Sequence, residues 1–213
     1  MSLTVIILSF TPTALISLYV MSGKKEKPKR ALYFKLLIAG VFSVLPGVMI
    51  VTLATSYIGT SPISINIFRP FIAVALVEEL IKLIVLRLMI YRNIHFRTIK
   101  DGMIFGVAIA VGFAFAENII YMTGSTEHIL LILSRSLTAV PLHAICGAFM
   151  GFYMGLGKVN ENRYFGKALL ASLTIHGLYN ILINLNFPYY LLSIILLIFS
   201  LIILKQLYSK SMP

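Results

Sequence analysis

The sequence contains little charge, few acids and a single cysteine. Charged residues make up 12% of its 213 residues, whereas hydrophobic residues make up 59%. With a mean hydropathy of +0.96, the chain is more apolar than a soluble domain of this length can bury. This composition excludes an ordinary soluble domain and predicts that the solvent is lipid. The one cysteine, Cys146, excludes an internal disulfide and is expected to be a small packing residue.

Acidic residues are scarcer than basic ones, 7 against 18, and the formal net charge is +11. Such an excess can indicate nucleic-acid binding. Here, however, the basic residues stand in short blocks between apolar runs, where Lys and Arg keep loops in the cytoplasm. We therefore predict that the charge sets membrane topology, and that the surroundings are membrane lipids and not nucleic acid.

Apolar runs long enough to cross a bilayer, which takes about 20 helical residues, recur along almost the whole chain. We predict seven spans, at about 3-21, 33-55, 70-90, 102-123, 129-156, 168-186 and 188-205. The expected fold is an all-α polytopic membrane helix bundle, with one membrane-embedded domain over 1-213. The protein is expected to be a multi-pass membrane protein.

The charges between the spans predict a single orientation. No positive charge precedes the first run, and a basic block follows it, so we expect a retained span and not a signal peptide; the block consists of Lys24, Lys25, Lys27, Lys29 and Arg30. The other predicted cytoplasmic segments hold nearly all remaining loop Lys and Arg, whereas Arg69 is the one basic residue at the outer loop ends. The N-terminus is therefore predicted outside and the C-terminus in the cytoplasm.

Two features predict how the helices pack. Small residues recur every four positions, which lets helix backbones approach closely in lipid; they are Gly147, Gly151 and Gly155 in the fifth span, and Gly102 with Gly106 or Ala108, Gly112 and Ala116 in the fourth. The fifth span is also long and contains Pro141, which predicts a tilt, a kink or a re-entrant start.

Acidic side chains inside the apolar runs are the strongest functional signal. Glu78, Glu79 and Lys82 lie deep in the third span, where each isolated charge costs about 3 kcal/mol. Either acid can pair with Lys82 along one helix face, which leaves the other acid available as a general base. The fourth span carries Glu117 and Asn118 with no basic residue within a turn, so the partner of Glu117 must come from another helix.

Histidines and an amide occur at similar depth in later spans. His143 lies in the fifth span, and His176 and Asn180 lie one turn apart in the sixth. Counting about 1.5 Å per residue from each outer end places these groups and the acids between mid-membrane and the outer face. We therefore expect one shared pocket. Arg135 is expected to reach the surface or pair with Glu127, or else to bind a substrate carboxylate; His95 and His128 are expected in solvated loops.

Two hydrolytic mechanisms suit these residues. Zinc could be bound by His143, His176 and Glu117, leaving a position for water and a glutamate as base. Without metal, a glutamate and a histidine would activate water while Asn180 donates to the oxyanion. Two alternatives remain open: an ion- or proton-coupled transporter, against which the lack of an evident repeat argues, and an inert membrane interaction protein.

The residues resemble the PrsW family of intramembrane proteases, distant relatives of the type II CAAX-prenyl endopeptidases. The resemblance covers about residues 77 to 180 and is carried by four motifs in order: Glu78-Glu79 with Lys82, Phe113 to Glu117-Asn118, His143 with Gly147, and His176 with Asn180. It implies a protease that cuts a single-pass membrane protein, typically an anti-sigma factor, near the outer face. It also implies that Glu78 or Glu79 is the base, and that His143 and His176 bind zinc or the attacking water.

Overall fold

The computed structural model describes residues 3–22, 27–123, 128–160, 164–185 and 188–211, and within them every regular element is helical. The elements are α1 (Leu3–Ser22), α2 (Lys27–Tyr57), a π-helical segment (Ser64–Leu76), α3 (Val77–Ile90), α4 (Ile99–Thr123), α5 (His128–Leu137), α6 (Ala139–Val159), α7 (Phe165–Asn184) and α8 (Leu191–Lys210).

Helix α4 is the centre of the bundle. It packs most extensively against α6 and then against α2, and α1 and α3 also contact it. In its most apolar stretch 72% of the residues are buried, compared with 22% in α8. The large apolar side chains exposed along α2 and α8, such as Phe42 and Phe199, suit contact with lipid. The α4 helix therefore supports the other helices, and α8 lies at the periphery.

The contact between α4 and α6 confirms the predicted small-residue packing. A Cβ added to Gly106 would collide with the carbonyl of Gly147, and one added to Gly102 would collide with that of Gly151. Each step of four residues along α4 thus matches a step of four residues back along α6. Only glycine permits this approach of two backbones, and it sets the antiparallel register of the helices that carry Glu117 and His143.

The predicted fifth span is kinked. Helix α5 ends at Leu137 and α6 begins at Ala139, and between them Thr138 has φ −125° and ψ −54°, away from helical values. Pro141 has no N–H to donate to the carbonyl of Leu137, which explains a break at this position. This break agrees with the expected kink, and the tilt and the re-entrant start stay predictions.

The predicted spans match the observed helices, and a polytopic helical membrane protein is confirmed. Among the described residues, five helices are long and apolar enough to cross a membrane, and Ile6–Ser22 is a shorter apolar helix; the five are Lys29–Tyr57, Ile99–Met122, Ile129–Val159, Phe165–Asn184 and Leu191–Lys210. The predicted third span corresponds to the π-helical segment and α3, whose charged residues lower its hydropathy. The count of seven and the orientation stay predictions.

Candidate active site

The acidic pair of α3 is buried and is divided between two environments. The two side chains point about 100° apart around the helix, and although both lie near Lys82 and His176, only Glu79 is in direct contact with them. The Oε1 atom of Glu79 accepts hydrogen bonds from Lys82 Nζ and, at 2.7 Å, from Nδ1 of His176. Glu79 and Lys82 are both 0% exposed, so this ion pair has no contact with solvent. Glu79 is therefore held between a cation on its own helix and a histidine of α7.

A second acid lies on the other side of His143. Glu117 Oε2 is 2.9 Å from Nε2 of His143 and 2.8 Å from Nη2 of Arg135. Arg135 also donates from Nε to Oδ1 of Asn118 at 2.8 Å. The helix α4 therefore presents two neighbouring acceptors to one guanidinium, a pairing that favours Arg over Lys.

Lys82 joins the two groups into one network. Its Nζ lies 3.0 Å from Nδ1 of His143. Because an ammonium group only donates, Nδ1 of His143 must be the acceptor, and in the neutral ring the proton lies on Nε2, facing Glu117. The contacts therefore form one continuous network with side chains from five helices. In order, its members are Arg135 of α5, Glu117 of α4, His143 of α6, Lys82 and Glu79 of α3, and His176 of α7.

His176 presents a free ring nitrogen on its other side. Its Nδ1 faces the carboxylate of Glu79, so Nδ1 carries the proton in the neutral ring and Nε2 keeps its lone pair. That Nε2 lies 3.9 Å from Oε2 of Glu78. A carboxylate that holds the far nitrogen of a histidine is the usual arrangement behind a metal ligand.

Glu78 is the carboxylate without a close partner. Its Oε2 is buried and accepts no hydrogen bond from the described residues, and Lys82 Nζ is 4.0 Å away. Counting charges in the cluster, Arg135 is in contact with Glu117 and Lys82 with Glu79. One negative charge therefore remains at Glu78, beside the free nitrogen of His176, and a proton or a cation would compensate it.

Two cavities meet at the cluster. The larger has a volume of about 300 Å³, and its lining includes Arg135, His143, His176 and Asn180. The smaller, of about 180 Å³, is lined by Glu78 and by residues of α2 such as Gly47. Val74, Glu117 and Tyr121 line both cavities. A substrate segment in the larger cavity would lie against the histidines.

One group of residues in the described part of the chain suits a metal ion. Glu78, His143 and His176 each offer one ligand atom, and these atoms lie within 4.8 Å of one another. Two imidazoles and one carboxylate form a usual catalytic zinc set, and the unpartnered oxygen of Glu78 suits a cation. Glu117, the predicted third ligand, is not in this group; its Oε2 contacts His143 and Arg135 instead.

The structure brings together all the predicted site residues and adds others. Asn180 lines the larger cavity, and its Nδ2 donates to the carbonyl of Pro70 at 3.3 Å. Arg135 was not among the predicted site residues; its expected partner Glu127 lies outside the described residues. The sequence did indicate that such a residue exists, because Glu117 has no basic residue within a turn and therefore needs a cation from another helix. Tyr121, whose ring lies 3.8 Å from Cζ of Arg135, carried no such signal.

The remaining predictions about individual side chains concern Cys146, His95 and His128, which lie outside the cluster. Cys146 is buried at 0% exposure, and its Sγ contacts the carbonyl of Ser172 at 3.5 Å, as a packing residue would. His95 lies in the loop between α3 and α4 and is half-buried. His128 is the first residue of α5 and not a loop residue, and its side chain lies outside the described part.

Comparison with known proteins finds one family, both in the family model that matches and in the curated relatives. A family described as PrsW family intramembrane metalloprotease matches residues 27–204. The chain is 33% identical to Protease PrsW of Bacillus subtilis over 134 residues, which is 60% of each chain. It is 31% identical to Protease PrsW of Oceanobacillus iheyensis over 175 residues, covering 80% of this chain and 78% of that one. No solved structure matches the chain.

Proposed function

The chain belongs to the PrsW family of intramembrane metalloproteases, and from that premise we propose that its buried cluster hydrolyses a peptide bond of a membrane-anchored protein. The family and the apolar helices make it a multi-pass prokaryotic membrane protein. The observation that carries the proposal is Glu78: a buried carboxylate whose Oε2 has no partner in the described chain, facing a free histidine nitrogen beside a cavity.

Glu78 is the proton acceptor in this proposal. Hydrolysis of an amide needs a base to take a proton from water as the oxygen attacks the carbonyl carbon, and the proton must then reach the leaving nitrogen. The free oxygen of Glu78 can perform both transfers. Glu79 also has a buried oxygen without a partner in the described chain, Oε2, but Lys82 and His176 hold its Oε1 and compensate its charge, which makes it the weaker base. Of the two predicted candidates for the base, the contacts therefore favour Glu78, and Glu79 orients His176.

The other residues of the cluster position the reactants. Glu117 holds Nε2 of His143, and Arg135 holds Glu117, so the ring of His143 is kept in one orientation. Asn180 uses one of its two amide protons on Pro70 and has the second for the oxygen of the scissile carbonyl. Asn118 supports Arg135 through its Oδ1.

Zinc fits the same residues. His176 and Glu78 would hold the ion, with Glu79 behind His176 as the supporting carboxylate, and His143 would join them by exchanging its contact with Lys82 or with Glu117 for the ion. When bound, zinc would lower the pKa of water and polarise the scissile carbonyl. Because a carboxylate bound to an ion is a much weaker base, Glu78 would act as the base in the metal-free mechanism, whereas in the zinc mechanism it would hold the ion.

The substrate in this proposal is a single-pass membrane protein, an anti-sigma factor in the expected case, cut near the outer face. The resemblance of the motifs supports this choice, as does the placement of the cluster toward the outer ends of the predicted spans. The catalytic core is proposed to lie within about 70-186, because the cluster extends from Glu78 to Asn180.

The test is cleavage by purified protein in proteoliposomes. We expect tagged single-pass membrane proteins, including an anti-sigma factor of the host, to gain new N-termini with the wild type. Glu78→Gln should lower the rate by a factor of about 100 or more, since the general base contributes about 10²–10⁴. Lys205→Gln, which removes an exposed charge on α8, is the matched control. Undiminished cleavage by Glu78→Gln would refute the role of Glu78, and absence of cleavage by the wild type would refute the function.

Metal analysis of the same samples tests the zinc part separately. We expect about one zinc ion per chain in the wild type, as the one three-ligand group of the described residues implies, and loss of zinc in His143→Ala and His176→Ala. A metal-free wild type that cleaves its substrate and tolerates chelators would refute zinc and leave the glutamate mechanism in place.

A further inference from the structure

Arg69 is a cation of the larger cavity that the mechanism above does not use. It lies in the π-helical segment and lines the cavity of about 300 Å³ that also contains His143, His176 and Asn180. The next residue, Pro70, is buried and accepts the hydrogen bond from Asn180. The backbone beside Arg69 is therefore bound to the helix that carries His176, which keeps Arg69 at the wall of this cavity.

The guanidinium of Arg69 is incompletely satisfied. Its Nη2 donates to the carbonyl of Ile58 at 3.3 Å, whereas its Nε is buried and has no partner among the described residues. The other cations of the cluster, Lys82 and Arg135, are each paired with a carboxylate. No carboxylate of the described chain pairs with Arg69. A buried donor without a partner is unfavourable, and a carboxylate in the cavity would satisfy it.

We propose that Arg69 is a specificity residue that binds an acidic side chain of the substrate close to the scissile bond. The proposal rests on the proposed function and adds the chemistry of the substrate to it. Guanidinium groups prefer carboxylates because two parallel N–H groups match the two oxygens.

The spacing between Arg69 and Glu78 along the helix limits how far the acidic side chain of the substrate can lie from the scissile bond. Arg69 precedes Glu78 by nine residues of nearly continuous helix, so the two lie at most about 14 Å apart along the axis. An extended peptide advances about 3.3 Å per residue. The acidic residue should therefore lie within about four residues of the cleaved bond.

The experiment maps cleavage sites across many membrane proteins at once. Detergent-solubilised membrane proteins of a bacterium are offered to wild type, Arg69→Gln, Arg69→Glu and Arg69→Lys in phosphatidylcholine vesicles, and new N-termini are identified by mass spectrometry. For the wild type we expect enrichment of Asp and Glu within about four residues of the cut. Arg69→Gln should lower cleavage at these sites about tenfold relative to neutral sites, as expected from one charge-assisted contact. Arg69→Glu should favour Lys and Arg instead, and Arg69→Lys should retain the acidic preference.

The matched control is Arg92→Gln, which removes an exposed charge in the loop after α3 and should leave the site profile unchanged. A wild-type profile without acidic enrichment overturns the proposal, as does enrichment that persists in Arg69→Gln. Arg69→Gln can also be compared in vesicles with and without phosphatidylglycerol. If its cleavage rate falls equally at acidic and neutral sites, and only when phosphatidylglycerol is present, Arg69 binds a lipid phosphate. That result also overturns the proposal. Absence of cleavage by the wild type is a different result, because it refutes the proposed function together with this proposal.

Discussion

Lys82 is the single residue on which the buried charges depend most. It is 0% exposed, donates to Glu79 and His143, and lies 4.0 Å from Glu78. An ammonium group in an apolar surrounding is unfavourable unless anions compensate it, and here the compensation is mutual. Replacing one partner leaves the other as an uncompensated buried charge, whereas replacing both Lys82 and Glu79 leaves the net charge of the cluster unchanged.

A double-mutant cycle tests this dependence. Lys82→Met should lower the free energy of unfolding by about 3–5 kcal/mol, because Glu79 would lose its cation. Glu79→Gln combined with Lys82→Met should recover most of that loss. The measurement is thermal unfolding in detergent, with Lys205→Met as the exposed control. A double variant as unstable as Lys82→Met alone would contradict the pairing.

At the scale of the helices, close approach of α4 and α6 determines the site. Gly102 meets Gly151 and Gly106 meets Gly147. Beyond the break at Thr138, Arg135 of α5 donates to Asn118 of α4 at 2.8 Å. On the other side of α4, a Cβ on Gly40 would collide with the carbonyl of Ile109. Packing of small residues therefore determines which polar side chains meet.

Gly106→Ala tests the register. The added methyl group would collide with the backbone of Gly147, so the helices must separate, at a cost of about 1–3 kcal/mol. Cleavage should fall as well, because Glu117 and His143 would move apart. Gly166→Ala is the control, since an added Cβ at Gly166 meets nothing within 4 Å. Equal melting temperatures for the two variants would show that the close contact does not matter.

At the scale of the whole molecule, the proposed side of cleavage depends on how the protein is oriented in the membrane. The outer-face placement of the cluster follows from the charge pattern, in which basic residues collect in the predicted cytoplasmic segments. Thr60 lies in the loop before the π-helical segment, on the predicted outer side, and Arg92 lies in the loop after α3, on the predicted inner side. Both residues are exposed and can carry a chemical label.

Cysteine labelling in intact cells measures the orientation. Cys146 is buried, so the native chain should give no background with a membrane-impermeant maleimide. Thr60→Cys should react in intact cells, and Arg92→Cys should react only after permeabilisation. The reverse pattern would place the cluster toward the cytoplasm and contradict the predicted side of cleavage.

Local patterns were sufficient to predict most of the elements and most of the site. The length of the apolar runs predicted the helices, four-residue spacing predicted the glycine contacts, and acids within apolar runs identified Glu78, Glu79 and Glu117. The predicted helices and glycine contacts are observed because each pattern depends on neighbours along one helix, whereas the catalytic roles of the acids stay predictions. The kink at Thr138 was one of three open expectations, since the effect of Pro141 depends on how adjacent helices pack.

The sequence by itself determined which residues are costly to bury, and therefore that the acids, Lys82 and the histidines must find partners. Only the tertiary structure decided the pairing. Glu79 meets His176 across 97 residues and Glu117 meets Arg135 across 18, and these contacts leave Glu78 as the carboxylate without a close partner. The physical reason is that distances between separate helices are set by their packing, which in lipid depends on the close approach of small residues.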